Sequence, residues 1–240
     1  MPPTSDGTLR ASVAEPAKQQ AESAVISTPA HSEPSGSNEV FINCPFDPAY
    51  LPMFDAIVFG LMVCGFTPIC ALESANAAEV RIEKLIRIIR RCRLAVHDLS
   101  RVELSELSKL PRFNMPLELG LWLGARHFGV GVQKKKSCLI FDSEAYRYQR
   151  FISDIAGQDP KPHQNDPQLV VRAIRDWLVT NFPQLSLPGG VALANRFSRF
   201  LEARAVLASD AELTLVELTF VDRVKLVRRW LDLQQQPVTS

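Results

Sequence analysis

The chain has 240 residues, enough to bury a substantial core, and its 46% apolar and 22% charged side chains are those of an ordinary globular protein. Its 27 basic and 26 acidic residues leave a formal net charge of +1, which excludes a global electrostatic pull toward nucleic acid or an acidic membrane. Five cysteines, an odd number with no CxxC pair, argue against a disulfide framework or a metal site and read as reduced thiols. No apolar run is long enough to span a bilayer, and the N-terminus lacks a signal pattern, so a soluble cytoplasmic protein is expected.

Residues 1–38 are rich in Ala, Ser, Pro, Thr and Glu and hold no aromatic residue. They lack the apolar surface that offsets ordering entropy, and a disordered tail is predicted. The run VFINCPF, Val40–Phe46, then reads as a strand ending in turn chemistry at Pro45, Asp47 and Pro48. A helix over 51–64 follows, with Gly65 placed to end it. Phe66–Leu72 is a second strand, with Pro68 marking an edge or a strand start.

Glu79–Cys92 is an amphipathic helix whose predicted buried stripe is Ile82, Leu85, Ile86 and Ile89. Arg81, Lys84, Arg87 and Arg91 form its solvated face. Arg93–Ser100 is a third strand and 113–129, apolar on nearly every side, is the third helix. Within it Gly120 and Gly124 suggest close packing on a sheet. Ser137–Asp142 is a fourth strand, entered through the basic turn Lys134–Lys136. This alternation implies a flavodoxin-like α/β fold, a mostly parallel sheet of about four to five strands with helices on both faces.

The stretch AYRYQRFISDIA, from Ala145, is read as a helix, followed by a polar loop. Asp166–Phe182 is another helix, with Asp166 as N-cap and Pro167 at its first position. The α/β domain is thus expected over 39–182, with a Pro/Gly linker at 183–190. A helical hairpin over 191–240 completes the chain, an assembly or adaptor module suited to a homo-oligomer or a partner protein.

Ligands of open parallel sheets bind outside the carboxyl ends of the strands. The residues at that edge are Asn43, Pro45, Phe46 and Asp47 after the first strand, and Glu73 and Ser74 after the second. The third strand supplies His97, Asp98, Ser100 and Arg101, and the third helix supplies Glu118. With Pro116 at the first helical position, Glu118 falls in the first turn, where the helix dipole favours its ionised form and lowers its pKa. Two readings stand open: a carboxylate that only satisfies backbone N–H groups, or one that stabilises or attacks a cationic transition state. Asp98 likewise either caps the next turn or binds a sugar or base. His97, alternating with it, should face the other side of the sheet as a core residue.

Three of these segments together resemble a known superfamily. FINCPFD resembles the first-strand signature of nucleoside 2-deoxyribosyltransferase-like proteins, AVHDLS their third strand ending in Asp, and LELGLWLGA their helix bearing the catalytic Glu. The arrangement is also similar to that of Toll/interleukin-1 receptor (TIR) domains, whose NAD-cleaving members place a Glu on the corresponding helix. RYQRFISDIAGQD resembles part of an uncharacterised bacterial group with the same domain. The resemblance covers roughly residues 39–142. It implies that Glu118 is the catalytic carboxylate, with Asp98 as its partner on the sugar. Asn43, Pro45, Phe46, Asp47, Glu73, Ser100 and Arg101 then line a nucleoside pocket.

The transferases carry an Asp-x-Gly-Thr-like segment before the Glu where this chain has RFNMP, which argues against base exchange. The implied activity is N-glycosidic cleavage of NAD or a related nucleotide. The nucleotide is then substrate rather than cofactor, and no metal, nucleic acid or membrane takes part. A non-catalytic nucleotide-sensing or protein-interaction module of the same fold is the alternative.

Overall fold

The structure, a computed structural model, describes residues 38–73, 76, 78–102 and 111–235. The tail predicted over 1–38 therefore lies outside the described residues, Asn38 excepted. Five parallel strands form one sheet: β1 (Glu39–Asn43), β2 (Thr67–Cys70), β3 (Leu94–Asp98), β4 (Ser137–Asp142) and β5 (Lys161–Pro162). Their order is β2-β1-β3-β4-β5, the flavodoxin-like order, in which the chain leaves β1 to one side and returns to the other through β3. That reversal opens a crevice at the carboxyl ends of β1 and β3.

The described residues hold six α-helices, α1 (Leu51–Val63), α2 (Arg81–Arg91), α3 (Asn114–Phe128), α4 (Pro167–Asn181), α5 (Gly190–Ser209) and α6 (Phe220–Gln235), of which α5 and α6 pack on α1 and α4. Alternate strand residues divide the core. Val40, Ile42, Leu94, Val96, Leu139 and Phe141 pack with α1 and α4. Phe41, Ile69 and Ala95 face the other way, with Leu85, Ile88 and Ile89 of α2 and Trp122 of α3. No described helix is long and apolar enough to cross a membrane.

Local sequence explains the element ends. Gly65 has φ +87°, and its N–H reaches Met62 O while Phe66 N–H reaches Leu61 O at 3.0 Å each, the paired bonds of a helix stop that needs a residue with positive φ. Asp166 caps α4 by accepting the Gln168 N–H at 2.8 Å, with Pro167 following.

Other expectations are corrected. Leu85 and Ile89 of the predicted stripe are buried, but Ile82 and Ile86 are exposed and Lys84 and Ile88 are buried in their place, because the helix is rotated to meet both the sheet and α3. Arg81, Arg87 and Arg91 are exposed as expected, each paired with a carboxylate, Glu118, Glu79 and Glu39, and only Lys84 of that face is buried. The stretch from Ala145 is no α-helix: Tyr146 takes φ +60°, and two short 3-10 turns, Arg147–Arg150 and Ser153–Ile155, follow it.

Gly120 and Gly124 do not press on the sheet either. Gly120 is exposed with nothing within 4 Å of an added Cβ. At helical spacing it shares an outward stripe with exposed Phe113, Leu117 and Phe128. The helix that reads as apolar all round thus buries one side, with Met115, Leu119 and Trp122, and presents apolar surface on the other.

The last two helices share the core of the α/β domain. Leu193, Phe197, Phe200, Phe220, Leu226 and Trp230 join the cluster under α1 and α4, and Phe59 of α1 packs on Phe197, Phe200 and Trp230 with ring centroids 5.2–5.6 Å apart. A buried Asp55 on α1 accepts from both Arg204 of α5 and Arg223 of α6, so one carboxylate pins both helices. Residues 183–190 are held along α4, where Arg175 donates to Pro188 O at 2.9 Å.

Candidate active site

A cleft of about 630 Å³ opens at the carboxyl end of β1, between the turn that follows it and the starts of α2 and α3, a size ordinary for a small-molecule site. Asn43, Pro45, Phe46 and Asp47 form one part of its wall, and Met115 and Glu118 of α3 another. Arg81, Arg112 and Phe113, which the sequence reading left out of the site, line it too. Of the remaining predicted site residues, Glu73 is exposed outside the lining, and Asp98, Ser100 and Arg101 lie behind it. Ser74 lies outside the described residues.

Asn43 joins three elements at the floor. Its Nδ2 donates to His97 Nδ1 and to Met115 O, both at 2.9 Å, which ties the ends of β1 and β3 to the first turn of α3. His97 faces α3 as the strand alternation requires, and its ring packs edge-on to Phe41 and Trp122. Burial, with Lys136 nearby, pushes its pKa down to about 3, so the imidazole is neutral and accepts at Nδ1. Lys136 is itself buried: Nζ lies 3.9 Å from the Trp122 ring centre and donates to Ile89 O and Cys92 O at the end of α2. These contacts fix α3 against the sheet.

Glu118 is 5% exposed yet opens on the cleft. Its only partner among the described residues is Arg81 of α2, whose Nη2 lies 3.7 Å from Oε1. Burial raises the carboxyl pKa to about 7, with Arg81 pulling the other way. This corrects the expected lowering. The helix begins at Asn114, so Pro116 is its third residue and Glu118 its fifth, two residues deeper than expected and past the first turn in which the dipole acts. Desolvation therefore outweighs the dipole.

Asp98 sits in a different setting. It is fully buried and outside the cleft lining. Tyr50 donates its hydroxyl to Oδ2 at 2.5 Å, and the Ser100 N–H reaches Oδ1 at 2.8 Å. His163 Nε2 lies 3.2 Å from Oδ2, and Nδ1 of the same ring accepts the Asn165 N–H at 2.9 Å, leaving the ring proton on Nε2. Burial alone would raise this carboxyl, but His163, Ser100 and Tyr50 outweigh it and hold it below the usual range. Asp98 is therefore a buried anchor for the ends of β3, β5 and the turn before α1, away from the sugar contact expected of it.

Asp47 is shared by two arginines. Arg101 Nη2 reaches Oδ1 at 2.8 Å and Arg112 Nη1 reaches Oδ2 at 2.7 Å. Partial burial opposes ionisation, and the two guanidiniums overcome it, keeping the carboxyl below its ordinary value. Cys44 also lines the cleft, but burial and the Asp98 charge push its thiol far up, so it is no thiolate nucleophile. Among the described residues lining the cleft, the one group brought close to neutral pH is Glu118.

Fold and site together define a flavodoxin-like α/β domain with a cleft of mixed polar and apolar lining at its topological switch point. No family model matches the chain, and no curated protein matches it either.

Proposed function

We propose that the cleft cleaves the N-glycosidic bond of NAD or a related nucleotide, with the Glu118 carboxylate at C1′ of the ribose. The observation that carries this reading is a buried Glu118 with one distant partner, facing a ligand-sized cleft at the switch point. The resemblance of FINCPFD and LELGLWLGA to glycosidic-bond-cleaving domains supports the same assignment.

The carboxylates present favour one leaving group over another. With Asp98 enclosed by its own donors and Asp47 held by two arginines, Glu118 is, among the described residues, the single carboxylate free to act in the cleft. A neutral base departs only with a proton donor to accompany the carboxylate. Nicotinamide needs none: as the C1′–N bond breaks, its electron pair neutralises the ring cation. The ribosyl oxocarbenium ion that remains is stabilised by the ionised Glu118, and water adds to C1′ with release of a proton.

Purified protein incubated with NAD should release nicotinamide, and Glu118→Gln should not. Equal release by both would refute the assignment. The outward apolar stripe at Phe113, Leu117 and Phe128 favours the second reading, a protein-interaction module. That reading stands if Glu118→Gln leaves every measured property unchanged while changes to the stripe abolish partner binding.

A further inference from the structure

A separate pocket of about 350 Å³ lies between the starts of α1 and α4 and the last two helices. Pro52 of α1, Pro167 of α4, Leu201 of α5 and Leu215 ahead of α6 form its walls. Among the described residues every lining side chain is apolar except Asp55, Arg204 and Arg223. Those three leave a charge over. Asp55 gives one oxygen to Arg204 and the other to Arg223, so a single carboxylate serves two guanidiniums. A guanidinium carries five N–H donors, yet among the described residues Asp55 is the only acceptor for either, and Arg204 Nε is buried without one. Arg223 is 6% exposed, so water does little to screen it, and a buried charge is costly unless it is paired.

The excess charge and the lining together define an occupant. A neutral apolar molecule would fill the walls and leave the charge unanswered. A phosphate dianion would exceed the charge and meet no other polar wall. A short apolar carboxylate answers both, with one negative charge for the arginine forks and a hydrocarbon body for the prolines and leucines. We infer that this pocket binds a free carboxylic acid with a short apolar body, as its anion, with Arg204 and Arg223 on the charged end. The inference is independent of the glycosidase reading, because none of these residues lines the cleft.

Titration of hexanoate, hexanol and inorganic phosphate into the full chain, followed by calorimetry at low salt, tests it. Hexanoate is expected to bind about tenfold or more tightly than either of the others. Arg204→Gln leaves Asp55 and Arg223 as a one-to-one pair, so it should weaken hexanoate about tenfold and spare hexanol, with Arg204→Lys retaining part of the preference. Asp55→Asn works the other way. Both guanidiniums then lose their carboxylate, and saturating hexanoate should raise the melting temperature of this variant more than that of wild type. Leu201→Trp fills the pocket and should lose both ligands. Circular dichroism confirms that the variants fold. Equal binding of hexanoate and hexanol, no binding of either, phosphate matching hexanoate, or an affinity unchanged by Arg204→Gln would each overturn the inference. Tighter binding of the tripeptide Ala-Ala-Leu than of hexanoate would overturn the assignment to a free acid in favour of a chain terminus.

Discussion

Asp98 and Glu118 are both buried carboxyls at the carboxyl edge of one sheet, and they titrate in opposite directions. Asp98 has two donors, from Tyr50 and Ser100, and the His163 ring 3.2 Å away, and stays ionised in spite of complete burial. Glu118 has one guanidinium at 3.7 Å and rises to about 7. Burial by itself thus does not mark a reactive group. What separates a structural anchor from a group poised for chemistry is how many donors the fold supplies to the charged form. The anchor is complete without a ligand, whereas the poised group lacks the partners a ligand would bring.

The comparison breaks most visibly if each residue is removed in turn. Asp98→Ala leaves the Tyr50 hydroxyl and the Ser100 N–H without an acceptor and takes the carboxylate away from His163, and should cost about 3–5 kcal/mol of stability by denaturant titration. A cost under about 1 kcal/mol would mean the network is not the anchor described. Glu118→Gln should do the reverse. It is expected to lower nicotinamide release by on the order of 10²–10³-fold while the folded protein is kept or strengthened.

Opposite pKa shifts also give opposite pH dependences of stability. Between its ordinary 4.5 and its folded value of about 7, Glu118 keeps its proton in the folded chain and loses it in the unfolded one. Its contribution is therefore fully present below pH 4.5 and is lost as pH rises through about 7, roughly 3 kcal/mol in all. Asp98, depressed below its ordinary 3.8, contributes stability above that value and loses it as pH falls through its folded pKa. Denaturation of wild type and Glu118→Gln at pH 5 and pH 8 should show the variant gaining on wild type only at the higher pH. A constant difference would place Glu118 in water. In activity, an ionised Glu118 requires the rate to rise through about pH 7 and level off; a fall above pH 7 would assign it as a proton donor instead.

Much of the framework is legible in the sequence because it rests on local pattern. The alternation of strand and helix, the Gly65 stop, the Asp166 cap and the placement of Asn43–Asp47 and Glu118 at one sheet edge all follow from periodicity, turn chemistry and the switch-point rule. The rest depends on who meets whom. Asp98 looks like a ligand group until Tyr50 and His163, 48 residues before and 65 after it, close over it. Arg81 reads as a solvated charge because helical periodicity does not show that α2 starts beside α3. Arg112 stands just ahead of a helix at the ligand edge, a position that gave a usable but unread signal. Desolvation of Glu118 is likewise a tertiary property, and the helix-start rule alone pointed the wrong way.

The smallest effect offers the finest test, because it concerns the one charged partner Glu118 has among the described residues. Arg81 favours the ionised carboxylate, so Arg81→Gln should move the midpoint of the activity profile upward. With the guanidinium 3.7 Å away and its side chain 57% exposed, water screens most of the interaction, and the displacement should be only a fraction of a pH unit. Tyr50→Phe, which removes a donor from Asp98 and leaves Glu118 alone, should not move that midpoint. If the midpoint follows Tyr50 rather than Arg81, the titrating group is Asp98, and the division between anchor and poised carboxylate is inverted.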